Sequence, residues 1–456
     1  MSLRPLIEIA AESERVHALA GDVRAATEGG EVVAVRASMT LRPLLLAALL
    51  EDDRGLAGRP ALLVSADDRS ARDLAADLRA YLAPRQVRFY PSRGTGYASH
   101  VTPPPHLVGL RIDALDALRD GKDAVVVASA TALAEAVPDA SLRPAGFSVA
   151  LGEEIDLDRV ARQLLAAGYE RVEQVEERGQ FAVRGGILDA FPATEERAVR
   201  VELFGDEVES MRWFSTFTQR SLGEAERVEL APAAELDAEH RELAELAAME
   251  ATEEGAEPPS LAEVLPLERF APPLDLIPEA TAVVLAAAEE IEPALRDHWE
   301  DATTAMHAED AQHLYVDVAE PLNERAVLSV SSAGDDEDAE AFRAARAESP
   351  ARSIKEAEGE LDKLLRSGYR TVVAFDSHGE AERARYGLDR IDAVLLDGGR
   401  LSPDPGLTFA EARLREGFVS PELRLAVYPF RRLVHRRRRT AEQVPGAGRG
   451  RLAFSD

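Results

Sequence analysis

Apolar and polar residues alternate with period two in two neighbouring stretches of this chain, with arginines and carboxylates among the polar ones, a pattern that suits docking to a protein better than catalysis. The first stretch is Glu177-Arg178-Gly179-Gln180-Phe181-Ala182-Val183-Arg184-Gly185-Gly186-Ile187-Leu188-Asp189-Ala190-Phe191-Pro192, and the second is Arg200-Val201-Glu202-Leu203-Phe204-Gly205-Asp206-Glu207. A period of two is that of a β-strand. Gly185-Gly186 and Gly205-Asp206 supply turns where positive φ costs little. With Phe181, Val183, Val199, Val201 and Leu203 turned to a core, Arg184, Arg200 and Glu202 point outward and sit near one another once the strands pair. Arg171, Arg178 and Arg220 flank them. Guanidinium groups pair carboxylates bidentately, and an aromatic neighbour such as Phe204 can anchor an interface. The pattern alone leaves two readings open, a docking face for a protein and an ordinary solvated sheet face.

Other residue groups promise less chemistry. A phosphate loop needs glycines, a lysine and a Ser or Thr for magnesium. The segment after the first expected strand is Arg36-Ala37-Ser38-Met39-Thr40-Leu41-Arg42-Pro43, with neither glycine nor lysine, so Ser38 and Thr40 read as helix caps. The nine histidines are scattered and form no HxxxH pair with an acidic base. Asp335-Asp336-Glu337-Asp338 lacks the spaced ligands and the glycine of a calcium loop. The run Arg431-Arg432-Leu433-Val434-His435-Arg436-Arg437-Arg438-Arg439 is basic enough to touch nucleic acid, although an exposed connector accounts for it more simply.

Composition narrows the class. The formal charge of −30 argues against a general nucleic-acid coat and in favour of a soluble acidic body. The absence of cysteine excludes disulfides, thiol catalysis and cysteine-ligated metals, and fits the cytoplasm. The N-terminus lacks the apolar core of a signal peptide, and residues 44–50 are too short an apolar run to span a bilayer.

The elements that position these residues follow from periodicity. Strands are expected over 32–35, 61–65, 87–90 and 124–128, with helices over 41–50, 67–82 and 107–118 between them, which makes a parallel sheet covered on both faces. A helix over 157–167 leads into the arginine-bearing sheet, and an Ala/Glu-rich helical stretch follows over 231–270. The α/β pattern resumes at 281–286, as though the first domain returns after an insertion. Three or more domains are expected in 456 residues. Residues 1–135 and 231–330 form the two parts of the first domain, 136–230 an α+β insertion, 331–350 an acidic linker, and 351–456 a separate small α/β domain with a basic connector. In that last domain a helix is expected over 354–366 and strands over 371–375, 393–396 and 423–428.

The arginine-bearing stretches, residues 177–192 and 199–208, resemble the second domain shared by the excision-repair protein UvrB and the bacterial transcription-repair coupling factors (Mfd). Residues 110–115 and 125–133 also resemble the first domain of both. UvrB has an intact phosphate loop and a tyrosine-rich hairpin. Here residues 36–43 replace the loop, and Tyr90-Pro91-Ser92-Arg93-Gly94-Thr95-Gly96-Tyr97 runs nearly straight into Pro103-Pro104-Pro105. Those departures are similar to the N-terminal, UvrB-like region of the coupling factors, and the resemblance covers 25–456, strongest over 105–222.

The resemblance implies a degenerate P-loop domain of the RecA/helicase type with an inserted UvrA-binding domain. The UvrA-binding set it implies is Arg171, Arg178, Arg184, Arg200, Glu202, Phe204 and Arg220, with Ala182 standing where UvrB often has an arginine. It implies no catalysis and no cofactor in this chain. ATP and magnesium would belong to a motor beyond a junction resembling residues 451–456, RNA polymerase and DNA would bind those further domains, and the C-terminal region would mask the UvrA face. The alternatives are a UvrB-like ATP-dependent processor of damaged DNA and a nucleic-acid-binding module acting through residues 431–439.

Overall fold

A computed structural model describes residues 2–94, 103–121, 123–243, 246, 265–305, 308–332, 341–396 and 399–435. Its first sheet is entirely parallel, in the order Val33–Ala37, Ala326–Ser332, Ala282–Leu285, Ala61–Ser65, Val125–Ser129, Val87–Tyr90. The inner strands Ala61–Ser65, Val125–Ser129 and Ala282–Leu285 are continuous apolar runs because helices cover both faces. One face packs against helices Pro5–Ala11, Glu14–Thr27, Arg42–Glu51 and Asp68–Leu82. The other packs against Pro105–Arg119, Ala288–Ala305 and Ala319–Arg325. Helix Asp68–Leu82 starts at a capping box, in which the Asp67 carboxylate accepts the Ser70 N–H and the Ser70 hydroxyl accepts the Asp67 N–H. Strands from before residue 130 and after residue 281 share this sheet, so the chain between them leaves it and returns.

The excursion builds a second sheet, ordered Ser221–Glu224, Glu207–Phe214, Ala198–Phe204, Ile187–Ala190, Gln180–Arg184, Glu170–Arg171. Its pairs are antiparallel except the last, which is parallel. Helix Leu157–Ala166, capped by Asp156, lays Val160, Ala161 and Leu164 on the inner face against Phe181, Leu188, Val199 and Val201. Two close approaches fix this domain against helix Pro105–Arg119. A Cβ on Gly109 would stand 2.6 Å from the Ala193 Cβ, and one on Gly179, at φ +81°, would stand 2.7 Å from Pro105. Ion pairs brace the same joint, the buried Arg111 with Glu135 at 2.7 Å and the partly buried Arg93 with Glu235 at 2.7 Å.

The third sheet runs Ala345–Arg346, Phe418–Ser420, Leu425–Pro429, Arg370–Phe375, Leu407–Glu411, Ala393–Leu395, with its last four strands parallel. Helices Ile354–Arg366 and His378–Arg385 cover one face, where Phe375 meets Phe409 and Phe430 with ring centroids 4.8 and 4.5 Å apart. The opposite face is not free. Val372, Ala374, Ala410, Leu425 and Val427 join one apolar core with Leu3, Leu6, Leu44, Leu49 and Leu78 of the first domain. The last domain is therefore not the separate unit expected from sequence.

The expected linker over 331–350 is also corrected at both ends. Ser331 and Ser332 finish a strand of the first sheet. Phe342 is buried, its N–H donating to the Arg36 carbonyl and its carbonyl accepting the Ser38 N–H, and Ala345–Arg346 is a strand of the third sheet. The acidic residues 335–338 lie outside the described residues, as does half of the stretch expected to be helical over 231–270; of its described part 238–243 is helix and 231–237 is not.

Candidate partner-docking face

The register of the second sheet sets the outward side chains into two rows. Ala182, Asp189, Arg200, Arg212 and Glu224 lie opposite one another across five strands, and Arg184, Ile187, Glu202 and Ser210 form the next row. Within the first row Arg200 grips Asp189 bidentately, Nε to Oδ1 at 2.6 Å and Nη2 to Oδ2 at 2.7 Å. Those hydrogen bonds hold the Arg200 guanidinium above its ordinary pKa, and its Cζ stands 5.0 Å from the centre of the Phe214 ring. In the second row Glu202 accepts from Arg212 at 2.6 Å and from the Ser210 hydroxyl at 3.0 Å. The result is a pre-ordered ladder of charges, tilted by a bulge at Glu202/Leu203. Arg184 and Phe204 are exposed beside it, Phe204 to 79%.

Four of the seven expected residues, Arg184, Arg200, Glu202 and Phe204, thus share one face, with Arg184, Glu202 and Phe204 toward the Gly185 and Gly205 turns and Arg200 one row further from them. The other three do not join them. Arg171 pairs in parallel register with Phe181, which turns it to the core side of the edge strand. Arg178 reaches over Phe191, its Nε donating to the Glu195 carbonyl at 2.6 Å. Arg220 lies beyond Phe214, in the turn at the far end of the strands. The outer face is also less open than alternation alone suggests, because Ala182 is buried with Val175, Phe191, Ala198 and Phe214. Asp189, Arg212 and Ser210 were missed. Their signal was the continued alternation of Ile187–Ala190 and Glu207–Phe214 once the hairpins are folded together.

Elsewhere, Ser38 and Thr40 do not cap the helix expected of them. Leu41 is the N-cap, without a side-chain bond, while the Ser38 hydroxyl accepts the Ala344 N–H at 3.0 Å. Arg42 is buried and reaches Ser332 Oγ at 3.3 Å. Of the basic run, Arg431 donates to the Leu414 carbonyl and Arg432 pairs with Glu416, whereas 436–439 lie outside the described residues, as do residues 95–102. Among the described residues no group of three or more His, Asp or Glu is arranged to hold a metal, and no helix is long and apolar enough to cross a membrane.

Residues 147–236, which contain the whole second sheet, match the family model described as the UvrB interaction domain. The transcription-repair-coupling factor of Bacillus subtilis (strain 168) is 32% identical over 179 residues, 39% of this chain and 15% of the relative. That of Mycobacterium tuberculosis (strain CDC 1551 / Oshkosh) is 40% identical over 172 residues, 36% of this chain and 14% of the relative. The UvrABC system protein B of Thermosipho africanus (strain TCF52B) is 28% identical over 191 residues, 39% of this chain and 29% of the relative. Each match spans less than a third of the relative's length. Over the matched part, this chain is similar to the N-terminal, UvrB-like region of transcription-repair-coupling factors.

Proposed function

We propose that this chain is the repair-recruitment region of a transcription-repair coupling factor and binds UvrA through the Arg184–Glu202 end of its second sheet. The observation that carries this reading is the coincidence of the UvrB interaction domain match over 147–236 with the pre-ordered charge ladder on that sheet. Arg200 and Glu202 are already fixed by Asp189 and Arg212, so little side-chain entropy is lost when a partner adds contacts to them. Arg184 brings a guanidinium to a partner carboxylate, and Phe204 an apolar anchor that binding would cover. In the cytoplasm such docking would bring the excision machinery to stalled RNA polymerase. The polymerase and DNA contacts, and a motor using ATP and magnesium, would lie on domains outside this chain, and one of those domains would mask the face until polymerase engages.

The region itself acts without catalysis or cofactor. Residues 36–43 are a degenerate phosphate loop, a reading supported by the missing glycines and lysine and by the burial of the Arg42 side chain beside Ser332. The test is titration of UvrA against this chain and its Arg184→Glu variant, whose exposed position leaves the fold intact. Reversing a charge at an interface costs about 2–5 kcal/mol, so at least a tenfold loss of affinity is expected. Equal affinity for both chains would remove the site, and no binding by the unaltered chain would remove the function. ATP–magnesium binding at micromolar strength would overturn the non-catalytic half and favour a UvrB-like processor.

A further inference from the structure

The first domain carries a second recognition feature on a different surface. A half-open cavity of about 650 Å³ lies between helix Ala288–Ala305 and the segment leading into helix Ala319–Arg325. Leu295 and Tyr315, both buried, form its floor with Val316 and Ala319, and Trp299 stands at its mouth, 39% exposed. A large aromatic left part-exposed over an apolar floor is a common anchor point for a partner side chain. His298 packs edge-on to Tyr315 of the floor at 5.4 Å, and burial lowers its pKa, which favours the neutral imidazole.

The surroundings define the occupant. Exposed Glu292, Asp297, Glu300, Asp301, Asp317 and Glu320 stand on the two segments that frame the cavity. Against them stands Arg296, which is already paired with Glu292 at 3.2 Å. Glu292 and Asp317 line the cavity itself and the other four carboxylates lie on the surface around it, so this acidic surface repels nucleic acid and attracts cations. We propose that this cavity docks a basic amphipathic segment of a protein partner, with one aliphatic or aromatic side chain seated between Leu295 and Trp299 and lysines or arginines facing Glu292 and Asp317. The size is that of a site for one large side chain with its neighbours rather than for a broad domain interface.

The chain contains two tryptophans, so a Trp213→Phe background makes Trp299 the sole reporter of the cavity. The probe is a synthetic amphipathic peptide of about fifteen residues built from Lys, Leu and one Phe, long enough for a few helical turns. Saturable change in Trp299 emission, weakened about tenfold between low and physiological ionic strength, is expected. The same peptide with Glu in place of Lys should leave the emission unchanged. Two surface variants divide the contributions. Glu292→Lys with Asp317→Lys should weaken binding at least tenfold through charge alone, and Ala319→Phe should do so by filling the cavity without changing charge. No emission change with the basic peptide would overturn the proposal. So would full binding by Ala319→Phe, because the peptide would then be clinging to acidic surface rather than entering the cavity.

Discussion

An arginine whose guanidinium already holds a carboxylate offers a partner a different contact from one that faces water. Arg200 is of the first kind, fixed by Asp189 and stacked on Phe214, and Arg184 is of the second. The two should therefore separate stability from binding. Asp189→Ala leaves the Arg200 guanidinium half-buried and unmatched, which costs roughly 1–3 kcal/mol of folding stability and also blurs the ladder that a partner meets. Arg184→Ala should change stability by less than about 0.5 kcal/mol, as surface substitutions do, while still weakening UvrA binding. Urea melts and UvrA titration of both variants check this, and a stable Asp189→Ala with unaltered binding would show that the ladder has no positioning role. Alternation along each strand was enough to put Arg184, Arg200 and Glu202 on one face, with strand Ile187–Ala190 running between Arg184 and the other two. It could not reveal that Asp189 and Arg212 occupy their charges, since that depends on the register between strands.

At the scale of elements, the helices and strands with strong periodicity were legible, because burial of one face leaves its period in the residues. Helix Asp68–Leu82 and strand Arg370–Phe375 lie within a residue of their expected bounds. Arg171 was not legible, because a two-residue edge strand has no period and its side is set by parallel pairing with Phe181. The use of polar residues between elements was equally hidden. Asp77 sits on helix Asp68–Leu82, yet its Oδ1 accepts the N–H of Arg415 from the last domain at 2.9 Å, while the Arg415 side chain pairs with Asp73 at 2.7 Å.

Burial pushes the Asp77 carboxyl from 3.8 up to about 7, partly offset by that hydrogen bond. Between those two pH values the folded protein keeps a proton that the unfolded chain has released. This group's contribution to stability therefore falls as pH rises from about 4 to about 7, and stays at its lower level above that. Asp77→Asn keeps an oxygen for the Arg415 N–H and cannot ionise, so it should outdo the unaltered protein at pH 8 by on the order of 2 kcal/mol and match it near pH 4. Denaturant midpoints across that range give the answer, and parallel pH profiles for the two proteins would exclude Asp77 as the source.

For the whole molecule, layering decides how the domains depend on one another. From one side to the other run helices, the first parallel sheet, the four helices that begin with Pro5–Ala11, the third sheet and its own helices. The middle helix layer is buried on both sides, and ion pairs stitch the last domain to it, Arg15 with Glu422 at 2.6 Å and Arg400 with Glu8 at 3.3 Å. The second sheet keeps a core of its own, built from Phe181, Leu188, Val199, Val201 and the helix Leu157–Ala166. A composition shift marks a domain in sequence, but a core shared between domains leaves no such mark, because a helix buried on both sides reads simply as more apolar; Arg42–Glu51, almost wholly buried, is an instance. Two cooperative units follow from this arrangement rather than three. Calorimetry of the whole chain should show the first and last domains melting in one transition and the inserted domain in another. A fragment of residues 147–236 should fold by itself, whereas residues 341–435 alone would expose Val372, Ala374, Ala410, Leu425 and Val427 and should aggregate or remain loosely packed. A soluble 341–435 fragment with a sharp transition of its own would mean that the shared core is a contact between finished domains, and the last domain would then be as independent as its sequence suggests.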